Sequence, residues 1–138
     1  MVESTKWCML EKNLYPLIKK WLERKKPTET WVMEVKLIKN STRFPLSSVK
    51  EHQVAGLLGA LQGFWIRLKD QPWLGKGFQT RKAFDGIWVK TDCAYVVPVF
   101  YIPRKKKMAY LIPIKGFLKL KGKSVKEADL TEFVSFEI

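Results

Sequence analysis

An acid and a base stand two positions apart in the apolar run at residues 31–37, and these residue types are well suited to chemistry. Successive side chains of a β-strand point to opposite faces, so Glu34 and Lys36 share one face and apolar residues take the other. A carboxylate can hold a divalent cation, and a neighbouring ammonium can offset negative charge that builds on a phosphate. The pair suits metal-assisted phosphodiester hydrolysis, and the alternative interpretation is a solvated ion pair without a chemical role.

A metal site of this kind needs a second carboxylate, and two further acids are candidates. Asp85 comes directly before Gly86 at the start of an apolar stretch, where it is either a site residue or a turn aspartate. Glu11 lies in the middle of an amphipathic helix, from which it either reaches toward the strand or faces solvent. The residues alone leave both alternatives open.

Other common chemistries have little support in the sequence. The single histidine, His52, is near neither cysteine, and there is no serine elbow, which argues against nucleophilic catalysis. Histidine and cysteine are too few for a zinc site, and no phosphate-cradling glycine motif is present. Cys8 and Cys93 are isolated, so we expect reduced, partly buried thiols.

The composition indicates one domain with a polyanionic partner. A chain of 138 residues with 46% hydrophobic residues can build one core, so we expect a single domain over residues 1–138. Lys and Arg number 26 against 13 Asp and Glu, a net charge of +13, which favours nucleic acid ahead of an anionic membrane surface. We find no membrane span and no signal segment, and therefore expect a cytoplasmic protein.

The periodicity predicts an α+β fold with a central mixed sheet flanked by helices. Apolar residues at helical spacing predict a helix over 5–25 that Pro16 kinks or breaks. Capping-box patterns at 48–51 and 124–127 predict a helix to about residue 61 and a final short helix to about residue 133. Period-two patterns predict strands at 31–37, 63–68, 83–90, 94–101 and 108–114.

Basic residues are concentrated in segments between these elements. We expect a long loop at 69–82 and a hairpin tip at 104–107 to hold phosphates, although a solvated turn is the alternative for the tip. The residues expected to contact nucleic acid are Lys39, Arg43, Lys76, Arg81, Lys82, Arg104, Lys105, Lys106 and Lys107.

Three stretches in a fixed order resemble the Holliday junction resolvase branch of the PD-(D/E)XK nuclease superfamily. Residues 31–36, Trp-Val-Met-Glu-Val-Lys, look like the E-x-K strand of that family. Residues 43–53 are similar to its loop and helix, in which a glutamine faces the site. Residues 82–86, Lys-Ala-Phe-Asp-Gly, with the strand that follows, look like the K-x-F-D segment of the small phage-type members. The resemblance covers residues 31–101, about half the chain.

The resemblance implies a restriction-endonuclease-like fold and a role for each matched residue. Glu34 and Asp85 would bind Mg²⁺ or Mn²⁺, Lys36 would stand beside the attacked phosphate, and Gln53 would orient the lysine or the attacking water. Glu11 loosely matches the helical glutamate of the family. This chain departs from the family order, because no aspartate lies between the first helix and Trp31, so the active-site aspartate is displaced downstream of the E-x-K strand.

The function implied is metal-dependent resolution of four-way DNA junctions by paired phosphodiester hydrolysis. A junction has two-fold symmetry and needs two cuts, so the resemblance also implies a homodimer. Two alternatives remain: a protein that binds branched or single-stranded nucleic acid without cutting it, and a related nuclease that acts on flaps or forks.

Overall fold

A computed structural model of the chain describes residues 10–68, 71–72, 79–80 and 84–138. The helices are α1 (Glu11–Lys25), α2 (Glu51–Gln62) and α3 (Ile114–Phe117), with 3-10 turns at Leu46–Ser48 and Glu127–Leu130. The strands are β1 (Trp31–Lys39), β2 (Arg43–Pro45), β3 (Phe64–Arg67), β4 (Gln71–Pro72), β5 (Gln79–Thr80), β6 (Gly86–Val89), β7 (Cys93–Tyr101), β8 (Met108–Pro113), β9 (Ser124–Lys126) and β10 (Val134–Glu137).

The central sheet has four strands in the order β1-β7-β8-β10. Strand β1 runs parallel to β7, from Trp31 opposite Cys93 to Lys39 opposite Tyr101, whereas β8 is antiparallel to both β7 and β10. The sheet is therefore mixed, and the expected α+β class with flanking helices is confirmed. Strand β1, which carries Glu34 and Lys36, lies at one edge.

Each face of the sheet has its own apolar core. On one face, Leu14 and Ile18 of α1 pack with Val35 and with β7 and β8 side chains such as Val97. On the other face, α2 and the β2–β9 ribbon cover the residues of β1 at even positions, including Ile38. Strand alternation thus places Glu34 and Lys36 on the face covered by α2.

Helix α1 runs through Pro16 as a single element, so the predicted break does not occur within Glu11–Lys25. Pro16 is exposed, and its ring therefore faces away from the core. The helix ends at Lys26, whose φ of 48° is left-handed and whose N–H donates to Leu22 C=O at 2.8 Å. The helix begins at Glu11 after the extended N-cap Leu10, and not at residue 5 as predicted, so Glu11 is its first residue and not in its middle.

Helix α2 confirms a predicted element, but its cap differs from the prediction. Ser48 belongs to a 3-10 turn, and its hydroxyl donates to Pro45 C=O at 2.6 Å, so it does not open the helix. The N-cap is Lys50, whose N–H donates to Gln53 Oε1 at 2.9 Å. The capping residue is therefore a glutamine inside the first turn, which satisfies one backbone group near the helix end.

The C-terminal prediction of a helix opening at residues 124–127 is wrong. Residues Ser124–Lys126 pair antiparallel with β2, which buries Val125 opposite Phe44. Residues Val134–Glu137 form the second edge strand of the central sheet, and the Phe136 ring stacks on Trp21 at 3.8 Å between centroids. Long-range packing of these apolar side chains decides the structure here against a local capping pattern.

The strands β3 and β6 form an antiparallel hairpin, and β4 pairs with β5 beyond it. This pairing of Gln71–Pro72 with Gln79–Thr80 falls in the segment predicted as a long loop. The expected nucleic-acid contacts Lys76, Arg81 and Lys82 lie outside the described residues. Within the part of the chain that the structure describes, no helix combines the length and apolar character needed to cross a membrane.

Candidate functional site

Glu34 and Lys36 form a partly buried ion pair on the α2 face of β1. Lys36 Nζ lies 3.1 Å from Glu34 Oε1, and the side chains are 13% and 28% exposed respectively. A lysine is seldom this far removed from water unless its charge is paired. The environment therefore differs from the solvated ion pair that was the alternative interpretation of these residues.

Gln53 joins this pair from the first turn of α2. Its Oε1 accepts the Lys50 N–H, and its Nε2 donates to Glu34 Oε1 at 2.8 Å. Because one end of the amide is fixed by the helix start, the other end is oriented toward the strand. Glu34 Oε1 thus receives two donors, one from Lys36 and one from Gln53.

Glu11 reaches the same strand from the first turn of α1. Its Oε2 accepts the Leu37 N–H at 3.0 Å. Strand β7 lies on one side of β1, so this carboxylate satisfies a backbone donor on the open edge. The helical glutamate is therefore turned toward β1 and not toward solvent.

Glu11 and Lys36 both line a cavity of about 270 Å³ at the C-terminal end of β1, which we call the β1-edge pocket. Its other polar residues are Lys39, Ser41, Arg43 and Ser48, with the lining completed by Leu37, Ile38 and Pro45. Three cationic side chains and one carboxylate line this pocket, so its charge favours an anion such as a phosphate.

Two serines of the β1-edge pocket had no functional role in the sequence interpretation. The capping-box pattern predicts Ser48 as a helix cap, and no pattern gives Ser41 a role. Arg43 lies between the two serines in the sequence, and its Nη1 donates a hydrogen bond to Ser124 Oγ at 3.2 Å. A basic, hydroxyl-rich connection between a strand and a helix is the sequence signal that marks these residues.

Asp85 lies outside the central sheet, next to the β3–β6 pair. It immediately precedes β6, and its C=O accepts the Leu68 N–H at 2.9 Å. Strand β6 leads into the N-terminal end of β7, where Thr91 N–H donates to Ala60 C=O at 2.9 Å. The part that Asp85 plays in the site stays a prediction.

A complete metal cage is not formed by protein side chains in the described ranges. Within residues 10–68, 71–72, 79–80 and 84–138, no three His, Cys, Asp or Glu side chains are grouped to hold a metal. Mg²⁺ is commonly held by one or two carboxylates together with water and substrate phosphates. The oxygen donors of Glu34 and Glu11 fit that donor chemistry.

The basic tip at 104–107 lies at the same end of the sheet as the β1-edge pocket. Lys39 is opposite Tyr101 in the parallel pair, and the tip begins three residues after Tyr101. Lys107 Nζ lies 5.5 Å from the Tyr101 ring centroid, and Lys106 Nζ lies 3.5 Å from Glu137 Oε2 in an exposed pair. The topology thus brings the predicted residues Lys39, Arg104, Lys105, Lys106 and Lys107 to one end of the sheet.

Two further polar contacts shift the titration of their donors. The half-buried free thiol of Cys93 donates to Glu29 Oε2 at 2.8 Å, and this hydrogen bond, with burial, raises the pKa of Cys93. Tyr110 donates its hydroxyl to Glu127 Oε2 at 2.7 Å, and burial followed by this bond raises the pKa of Tyr110 to about 12. Both groups are held protonated at neutral pH.

The structure therefore brings Glu34, Lys36 and Gln53 into direct contact and places Glu11 at the adjoining strand edge. Asp85 and the basic tip belong to elements that enter from opposite ends of the sheet. No protein-family model, curated protein or solved structure was found to match this chain.

Proposed function

We propose that this chain is a divalent-metal-dependent endonuclease that cuts branched DNA, with four-way junctions as its substrate. The observation that carries the proposal is the Lys36 ammonium, 13% exposed and paired with Glu34, which is in turn bonded to Gln53. Desolvating a lysine is unfavourable, and such groups are found where a positive charge is needed at a fixed position.

The residues have complementary roles in phosphodiester hydrolysis. Glu34 and Glu11 supply carboxylate oxygens for Mg²⁺ or Mn²⁺, and Asp85 is proposed as a further ligand. When bound, the cation polarises the phosphate and lowers the pKa of a bound water. Lys36 neutralises charge that grows on the phosphate oxygens, and Gln53 fixes the position of Glu34 and thereby of Lys36.

The basic end of the sheet supports a DNA substrate. Lys39 and Arg43 line the β1-edge pocket beside Lys36, and the tip at 104–107 extends the positive surface. Contacts of this kind hold phosphates and fix position without reading bases. Selectivity for four-way junctions and a homodimer with two active sites are taken from the family resemblance, since paired cuts need two sites.

A second candidate is a nucleic-acid-binding protein that does not cut. The observation that favours it is the double engagement of Glu34 Oε1 by Lys36 and Gln53, because such a network also stabilises a fold without any reaction. Net charge supports both candidates equally. Cleavage is the property that separates them.

The decisive experiment measures Mg²⁺-dependent nicking of a labelled four-way junction by the wild type and by Glu34→Ala. We expect Glu34→Ala to abolish cleavage while junction binding survives. Glu23→Ala is the matched control, since Glu23 is an exposed acid on α1 paired only loosely with Lys19 at 3.9 Å. Undiminished cleavage by Glu34→Ala would overturn the proposed site.

Two further measurements test the finer parts of the proposal. Cut positions on junction, flap and plain duplex DNA of equal length decide the substrate. Light scattering of the 16.2 kDa chain, both free and bound to junction DNA, measures its oligomeric state. A monomer in both states contradicts the symmetric dimer and leaves the cleavage chemistry standing.

A further inference from the structure

The β3–β6 hairpin exposes two tryptophans side by side on one face. Trp65 and Trp88 are directly opposite each other in the ladder, and they are 56% and 62% exposed. Tryptophan is a large apolar residue, and a contiguous exposed apolar patch commonly marks an interaction surface. We call this surface the tryptophan platform.

The opposite face of the same hairpin is the one that meets the protein. Phe64 and Val89 are paired across the ladder and pack into the core under α2. Ile66 and Ile87 form the pair two positions further along the ladder. They lie on the same face as Phe64 and Val89 and are 38% and 42% exposed. Alternation therefore directs the two tryptophans away from the core.

Each indole ring packs over a glycine of the neighbouring chain segment, Trp65 over Gly86 and Trp88 over Gly63. A Cβ built on Gly86 would come within 2.7 Å of Cε2 of Trp65, and one built on Gly63 within 2.6 Å of Cζ2 of Trp88. A side chain at Gly63 would clash with the Trp88 ring, and one at Gly86 would clash with the Trp65 ring and with the Ile66 carbonyl oxygen. The rings are thus seated on the backbone and held in place before any ligand arrives.

The platform is flanked by positive charge. Arg67 is two residues beyond Trp65 on the same face of β3, and Lys90 follows Trp88 by two residues. Both side chains are exposed. Aromatic rings interleaved with cations form the arrangement that holds single strands, with stacking for bases and charge for phosphates.

We propose that the tryptophan platform binds unpaired bases of single-stranded DNA. The net charge of +13 favours a polyanion over a second copy of the same chain. The inference rests on the nucleic-acid partner of the proposed function and is independent of cleavage. It adds a site for the unpaired bases of a branched substrate at the end of the sheet opposite the basic tip.

The test compares two fluorescent 12-mers of equal charge, an oligothymidylate and its abasic counterpart, by anisotropy in EDTA so that no cleavage occurs. We expect the wild type to prefer the oligothymidylate. Trp65→Ala and Trp88→Ala should each weaken oligothymidylate binding by about 5- to 150-fold and leave abasic binding unchanged. Trp88→Phe should retain part of the affinity.

Ile87→Ala is the matched control, because it truncates an exposed apolar residue on the other face of the same hairpin. Its affinity for both oligonucleotides should equal that of the wild type. Equal affinity of the wild type for the two 12-mers overturns the inference, as does an equal loss on both in the tryptophan variants. If the tryptophan variants lose self-association on light scattering while their oligonucleotide affinity is unchanged, the platform is a contact between copies of the chain. That result also overturns the inference.

Failure of this test is distinguishable from failure of the proposed nuclease function. The platform is measured without metal, and the nuclease is measured by nicking. If the protein nicks junctions but binds the two 12-mers equally, only the proposed role of the tryptophan platform is refuted. A protein that discriminates bases but never nicks is the binding protein of the second candidate.

Discussion

The coupling between Glu34 and Lys36 can be measured with a double-mutant cycle in urea denaturation at 25 °C. Glu34→Gln removes the negative charge and keeps an oxygen for Gln53, whereas Lys36→Met removes the positive charge and keeps most of the side-chain volume. With Nζ and Oε1 3.1 Å apart, the direct attraction at an effective dielectric of about 20 is about 5 kcal/mol before desolvation is subtracted.

The net coupling must lie between two known limits. Exposed ion pairs contribute about 0.2–1 kcal/mol, and residues in one salt-bridge network couple by about 0.5–3 kcal/mol. With exposures of 13% and 28%, we expect an intermediate coupling of about 2 kcal/mol. Glu34→Gln should cost about 2.5 kcal/mol because it strands a lysine, Lys36→Met about 1, and the double variant about 1.5.

The exposed pair Lys19–Glu23 on α1 is the internal control. Its atoms are 3.9 Å apart, and its side chains are 78% and 63% exposed. We expect about 0.3–0.5 kcal/mol for this pair, falling toward zero in 1 M salt. The Glu34–Lys36 coupling should keep more than half its value in the same salt. If its two single effects instead add to within about 0.5 kcal/mol of the double effect, the pair is solvated and the argument for a fixed, desolvated lysine fails.

Two other predictions address stability and thiol reactivity. Pro16→Ala should stabilise the protein by about 1–3 kcal/mol in urea, because Pro16 is exposed inside α1 and alanine restores an N–H that can donate to Lys12 C=O; a loss of stability would show that the helix needs the proline. Glu29→Ala should accelerate iodoacetamide alkylation of Cys93 several-fold at pH 8–9, because losing the hydrogen bond lowers the raised pKa and increases the thiolate fraction. Peptide mass spectrometry separates this signal from Cys8, and an unchanged rate would contradict the assigned cause.

Elements with strong local patterns could be predicted from the sequence. The alternation in 31–37 and the apolar runs at 94–101 and 108–114 correspond to β1, β7 and β8, the centre of the sheet. Each of these strands is buried on one or both faces of the sheet, so its apolar residues show alternation or a continuous run in the sequence. Their pairing order and the edge position of β1 depend on contacts distant in sequence, which no local window contains.

Failures of prediction occur where tertiary packing overrides a short motif. The serine-to-glutamate spacing at 48–51 and at 124–127 suits a capping box, yet neither serine caps a helix. At the second site, Val125 is buried opposite Phe44, and that burial is worth more than a cap on an exposed turn. The sequence pattern does not predict strand β10, because the competing helix prediction extends to about residue 133, next to its start.

The candidate site shows the same division between local and long-range information. That Glu34 and Lys36 share a face follows from strand periodicity alone. The bond from Gln53 to Glu34 joins residues 19 positions apart, and the bond from Leu37 N–H to Glu11 joins residues 26 positions apart. Spacing does not give such contacts, and the family resemblance proposed these partners without their geometry.

The two ends of the sheet constrain the substrate if both proposals hold. The basic tip and the β1-edge pocket lie at the C-terminal end of β1, and the hairpin with the tryptophan platform joins at the N-terminal end. A strand rises about 3.3 Å per residue, so nine residues of β1 separate these ends by about 26 Å. Duplex DNA rises about 3.4 Å per base pair, so that separation is shorter than one helical turn. A substrate that places duplex phosphates at one end of the sheet and unpaired bases at the other must change from paired to unpaired between them. Branched DNA does so, whereas a continuous duplex does not.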